Sequence, residues 1–253
     1  TAAREELSKA AERQLRESAQ ELGIPTEGTV VAVRHPSAIA PASLDYAEAQ
    51  EVDLFGMGTH GRRGVRRVLM GSVAEEVVRK APCPVLTYHP ELETAIERPQ
   101  KLVAALDLSD HSVKVVQHAG ALARLYHASV DFVHVLPQPH YPASYELGSG
   151  AAIYVDGPEA ARRVKDAMND LVREALGDGG DYHVHVLRGD AAQKLLEFAE
   201  ENDGDLIVLA SHGMTGLSHV LLGSVADKVV RQAECPVLTV HSFGRSWVEE
   251  DAA

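Results

Sequence analysis

Two stretches of this chain place glycine, serine and histidine at spacings that could do chemistry. The first reads Gly58-Thr59-His60-Gly61, then nine residues, then Gly71-Ser72. The second reads Ala210-Ser211-His212-Gly213, then nine residues, then Gly223-Ser224. The chemistry is that of an anion site. Glycines let the backbone approach closely and adopt positive φ. Successive backbone N–H groups can then cradle phosphate oxygens. A Gly-Ser pair that opens a helix adds N-terminal amides, a favourable dipole and a hydroxyl donor. The plainer alternative is glycines serving turns and a helix C-cap. No Gly-Lys-Ser/Thr follows the glycines, so this is not a Walker A loop, and GxGxxG is absent too. Recurrence of the spacing favours phosphate. His60 and His212 are the best general-base candidates because they sit inside the loops, although orienting the loop is the plainer role. No motif places a Ser-His-Asp set or a metal cluster, so no catalytic residue and no metal ligand is assigned. Arg62, Arg63, Arg66 and Arg67 follow Gly61 and could neutralise phosphate or form a solvated face.

The loops recur because the chain repeats. Residues 53–89 match residues 205–241 at an offset of 152 without a gap, with 21 of 37 positions identical. Such a repeat sets the reading of the whole fold. The copies are assigned as 1–92 and 101–243, with a linker at 93–100 and an acidic tail at 244–253.

The complete copy reads as alternating strands and helices. Apolar runs predict strands at 102–106, 129–136, 182–187, 205–210 and 236–241. Helices are expected from a Ser109 cap to about His127, from Glu159 to Leu176, from an Asp190 cap to about Asn202, and from a Ser224 cap to about Gln232. Residues 137–158 read as a loop. This alternation predicts an α/β fold with a doubly wound, parallel, five-stranded sheet of order 3-2-1-4-5, present twice. Ligands bind such sheets beyond the carboxyl ends of their strands. Asp107 and the segment 210–213 both follow strands and belong at that edge. Asp107 could also be a helix-capping or turn residue.

Copy one is incomplete. The offset maps residue 1 onto residue 153, so it lacks the counterparts of strand one, helix one and strand two. Its third strand is then left without a neighbour to satisfy its backbone groups. The expectation is a natural protein with an N-terminal segment of about fifty residues more, as the repeat implies.

Composition narrows the class. A chain of 253 residues with 45% hydrophobic content suits one or two domains with real cores. No apolar run reaches the roughly 18–20 residues of a membrane span. The charged N-terminus lacks a signal-peptide core. A soluble cytoplasmic protein with no direct membrane insertion is expected. A net charge of −13, from 37 acidic against 24 basic residues, disfavours binding to nucleic acid or an anionic membrane. Lys supplies 7 of the 24 cations, which would suit a salt-rich cytoplasm. Cys83 and Cys235 each precede a proline at a strand start and are expected as buried, reduced thiols. With no CxxC and 13 scattered histidines, metal binding has no support. His183 and His185 could share one face of a strand.

The string G-x-x-G-x9-G-S/T, followed by V-A and ending in C-P-V-L, resembles the universal stress protein family. It is similar to the ATP-binding branch in a UspA-like tandem form. The likeness covers nearly all of residues 101–242 and the later part of 1–90. The resemblance implies that ATP, ADP or AMP binds at the loop, with or without Mg2+. It places Ala105, Leu106 and Asp107 by the base and ribose, and the main chain of Val135 by the adenine. It puts Leu209, Ala210, Gly213, Gly223, Ser224 and Val225 around ribose and phosphates. In copy one it points to Met57, Gly58, Gly61, Gly71, Ser72 and Val73. It also implies that the two copies associate through their last strands as an intrachain pseudo-dimer, and it permits a homodimer. Ala210 stands where the motif has its first glycine, and its Cβ could crowd the phosphates or forbid positive φ. The implied function is an adenine-nucleotide-binding stress-response or regulatory protein with little or no catalysis. The alternatives are a cytoplasmic regulatory module of a larger protein such as a transporter, or a slow ATPase. A true nucleotidyl transferase or ligase would need catalytic residues or a substrate domain that the sequence does not offer.

Overall fold

The computed structural model describes residues 2–21, 29–30, 32–33, 38–59, 70–89, 98–137, 158–212 and 222–248. Two compact units result, residues 1–43 and 44–253. The first holds α1 (Ala2–Glu21) and the start of α2 (Ile39–Ala49). On α1, Leu7 and Leu15 are 66% and 49% exposed. Thr29, Val30, Ala32 and Val33 lie where copy one would carry its third strand, and they adopt no regular structure.

The second unit is built on one seven-stranded sheet. Its strands are β1 (Phe55–Gly58), β2 (Val85–Tyr88), β3 (Lys101–Ala105), β4 (Ser129–Leu136), β5 (Tyr182–Arg188), β6 (Leu206–Ala210) and β7 (Val237–Val240), in the order β1-β2-β7-β6-β3-β4-β5. Read within copy two, β5-β4-β3-β6-β7 is the expected order 3-2-1-4-5, and all its pairings are parallel. Copy one contributes β1 and β2, also parallel. The copies meet where β2 runs antiparallel to β7, with Leu86 opposite Leu238. Thr87 Oγ1 donates across that seam to the Val237 carbonyl at 3.3 Å. Arg231 reaches Glu75 of the other copy at 3.2 Å.

Helices cover both faces of copy two. These are α4 (His111–Tyr126) and α5 (Pro158–Leu176) on one face, and α6 (Ala191–Glu201) and α7 (Ser224–Gln232) on the other. Alternate strand residues explain the layering. Leu102, Ala104, Val130, Phe132, Val208 and Leu238 join Val115, Val116 and Met168 in one core. Val103, Ile207 and Val237 are equally buried and, one register on, belong to the α6–α7 face.

The caps correct part of the sequence reading. Asp190 caps α6 as expected, accepting from the Gln193 N–H at 3.0 Å. Ser109 does not cap α4. The N-cap residue is Asp110, and Ser109 is engaged by Asp107 instead. Ser224 is the first residue of α7, not its cap, and Gly223 holds the N-cap position. In copy one α3 (Ser72–Lys80) repeats this with Gly71. Cys83 is buried, but Cys235 is only half-buried, so the pair is not uniformly enclosed; both thiols are free. Burial raises their pKa values to about 11 and about 12, which keeps both protonated. His183 and His185 separate in role. His183 sits at the surface by Asp181, whereas His185 Nε2 lies 2.8 Å from buried Asp131.

Candidate functional site

The site forms where β3, β4 and β6 end, because a parallel sheet delivers its strand exits to one edge. A cavity of about 300 Å³ opens there. Nine of the ten residues expected in copy two line it: Ala105, Leu106, Asp107, Val135, Leu209, Ala210, Gly223, Ser224 and Val225. Gly213, the tenth, lies outside the described residues. Val133, His134, Ala191, Leu195, His212 and Ala226 also line the cavity and were not assigned to the binding set by the sequence. Ala191 and Leu195 had a legible signal, since α6 starts just after β5 at the same sheet edge.

Local bonds fix the strand exits. The Leu106 N–H donates to the Val133 carbonyl at 2.9 Å. His134 Nδ1 lies 2.7 Å from the Leu106 carbonyl, which can only accept, so this nitrogen carries the proton. Asp107 Oδ1 accepts three bonds: from the Ser109 N–H at 3.0 Å, the Ser109 hydroxyl at 2.6 Å and the Ser112 hydroxyl at 2.9 Å. Oδ2 is buried and has no hydrogen-bond partner. Burial alone would raise the carboxyl pKa, but these hydrogen bonds outweigh it and hold the group below the usual carboxylate range. Asp107 is therefore an anion with one acceptor oxygen to spare.

Both loops are pinched at their base in the same way. The Thr59 N–H donates to the Tyr88 carbonyl, and the Thr59 carbonyl accepts from the Gly71 N–H, both at 2.9 Å. Ser211 does the same with Val240 and Gly223, both at 2.8 Å. A Cβ at position 71 would approach the Thr59 oxygen to 3.3 Å, so glycine there serves close approach. Positive φ is not its reason, since Gly71 and Gly223 sit at −64° and −61°. Neither α3 nor α7 has a side-chain cap bond, which leaves first-turn N–H groups open to an anion.

Ala210 ends β6 in regular register opposite Val240, and it is not among the positive-φ residues. The substitution thus leaves the backbone undistorted and adds only a methyl to the cavity wall.

In copy one, Met57, Gly58, Gly71, Ser72 and Val73 hold the corresponding places on β1 and α3. Gly61, His60 and the four arginines lie outside the described residues. Among those residues β1 pairs with β2 alone. Among the described residues the two sets of predicted site residues stand apart, with β2 and β7 between β1 and β6.

Comparison with known proteins agrees with this architecture. The universal stress protein family matches residues 1–89 and 99–241. A universal stress protein of Methanocaldococcus jannaschii is 37% identical over 146 residues, covering 56% of this chain and 81% of that protein. One from Mycobacterium tuberculosis strain H37Rv is 26% identical over 233 residues, covering 89% of this chain and 77% of that protein. The crystal structure of a universal stress protein from Archaeoglobus fulgidus superposes with a TM-score of 0.66 at 21% identity, covering 94% of this chain and 80% of that one. That likeness concerns the fold. No helix among the described residues is long and apolar enough to cross a membrane.

Proposed function

The chain belongs to the universal stress protein family, and from that premise we propose that it is an adenine-nucleotide-binding stress-response or regulatory protein with little or no catalysis. One observation carries the reading. A single apolar cavity brings together a spare, buried carboxylate oxygen on Asp107 and the uncapped N-terminus of α7. A nucleotide presents the complementary groups: an apolar flat base, hydroxyl donors on the ribose and an anionic phosphate end. Leu106, Val133, Val135, Leu195 and Leu209 would enclose the base. Asp107 Oδ2 would accept from a ribose hydroxyl. The N–H groups of Ser224 and Val225 would meet phosphate oxygens, with Ala210 as a wall. Among the described residues no group of three His, Cys, Asp or Glu could hold a metal, so any Mg2+ would be carried by the phosphates themselves.

The β2–β7 ladder supports reading the chain as an intrachain pseudo-dimer of its two copies. His212 lines the cavity, and this favours slow ATP hydrolysis as the second reading. Mass spectrometry of small molecules released from denatured protein is expected to give ATP, ADP or AMP. A preparation that releases none and shows no thermal shift with ATP overturns the proposal. Steady-state turnover far above about one per second would replace it with an efficient enzyme, since typical enzymes work at roughly 1–1,000 per second.

A further inference from the structure

Two histidines 152 positions apart, His89 and His241, reach across the seam between the copies. His241 Nε2 lies 2.7 Å from the Val78 carbonyl of α3. His89 Nε2 lies 3.2 Å from the Val230 carbonyl of α7. The bonds are reciprocal, since Val78 and Val230 are also 152 apart. Each carbonyl lies in the last turn of its helix. The preceding carbonyls, Val77 and Val229, take the closing N–H groups of Ala81 and Ala233. The next carbonyl in each helix is left over, and the other copy's histidine fills it. A carbonyl only accepts, so each Nε2 carries a proton.

The far side of each ring differs. His89 Nδ1 lies 2.9 Å from Thr59 Oγ1. This contact joins the ring to the Thr59 hydroxyl, which also lies 3.4 Å from the Tyr88 carbonyl. Thr59 is the base of the copy-one loop, whose backbone holds both Tyr88 and Gly71. A continuous path therefore runs from Thr59, at the base of the copy-one loop, through His89 and Val230 into α7, whose first residues line the copy-two cavity. In the mirror path the connection stops. His241 Nδ1 is buried without a hydrogen-bond partner. Ser211, the counterpart of Thr59, sits 2.8 Å from His212 Nδ1 instead.

We propose that His89 is a positioning residue that couples the copy-one loop to the copy-two cavity through α7. His241 is the same device with its loop link unmade. α7 is a single nine-residue helix whose first residues line the cavity and whose last turn holds the His89 bond, so both ends belong to one element. The coupling rests on the nucleotide reading for its ligand, whereas the hydrogen-bonded link does not.

The test is hydrogen exchange on the full chain, without ligand and with ATP. Without ligand, His89→Ala is expected to speed exchange at the Thr59 and Gly71 amides by about fivefold, the effect of one lost hydrogen bond. The Ser211 and Gly223 amides should stay unchanged. Thr59→Val, which keeps the histidine and its cross-copy bond, should reproduce the effect in a folded protein. Unchanged exchange at Thr59 and Gly71 in both variants overturns the link. With saturating ATP, wild type should slow at Ser211–Val225 and also at Thr59–Gly71. His89→Ala should keep the first response and lose the second. A second response that persists in His89→Ala overturns the coupling. If ATP slows neither loop while the ligand-free result holds, the nucleotide reading falls and the link stands.

Discussion

β1 and β6 hold equivalent positions in the repeat and lead into loops with the same glycine spacing, yet they stand in different surroundings. β6 lies between β3 and β7, while among the described residues β1 has β2 alone. Both loops are pinched by the same pair of backbone bonds, so the repeated glycine pattern shapes the base of the loop wherever it occurs. The cavity does not follow from that pattern. It is lined by Leu106 and Asp107 beyond β3 and by Val133 to Val135 on β4, which the loop pattern does not specify.

The largest test of this contrast is the core. Phe132 is fully buried on β4, and Phe132→Ala is expected to lower unfolding free energy by about 3–5 kcal/mol in urea titration. Leu7→Ala on exposed α1 should stay within about 0.5 kcal/mol. Equal losses would mean that the two regions are equally consolidated.

Acid comes next. Burial holds His241 neutral and lowers its pKa to about 4. An unfolded histidine titrates near 6.5, so the unfolded chain takes up the proton first. Stability from this group is full above pH 6.5 and falls as pH drops toward 4, by about 3 kcal/mol in all. Burial lowers His118 as well, so it adds to the same slope. His241→Gln should flatten the profile measured by chemical denaturation between pH 7 and pH 5. A slope of unchanged size would show that His241 takes up its proton equally in both states.

Ligand binding then separates the copies directly. Asp107→Asn should weaken ATP about ten- to a hundredfold by calorimetry, the range for a hydrogen bond to a charged group. Ser72→Ala, at the start of α3, should leave the affinity unchanged. The reverse pattern would move the site to copy one. The smallest effect is expected from Ala210→Gly. Position 210 is ordinary strand, so affinity should change by less than about tenfold. A larger gain would mean that the added methyl closes the phosphate end.

Much of this was legible in the sequence. Apolar runs placed all five strands of copy two within about a residue or two, as boundary fraying allows. Asp190 capped its helix as its type suggests. Ser109 failed as a cap because Asp107, two residues earlier, accepts its N–H and its hydroxyl. Val133 and His134 escaped notice because cavity lining depends on sheet register rather than on local pattern. The cross-copy histidine bonds were invisible for the same reason. They join residues 141 and 163 positions apart that meet only after β2 pairs with β7.

The central claim is that the copy-two cavity binds an adenine nucleotide and that the loop alone does not suffice. Native mass spectrometry of the full chain with ATP tests it most directly. One nucleotide per chain is predicted, and at an ATP concentration that half-saturates the wild type its occupancy should fall sharply with Asp107→Asn. Two nucleotides per chain, or an occupancy unchanged by Asp107→Asn, would contradict the account.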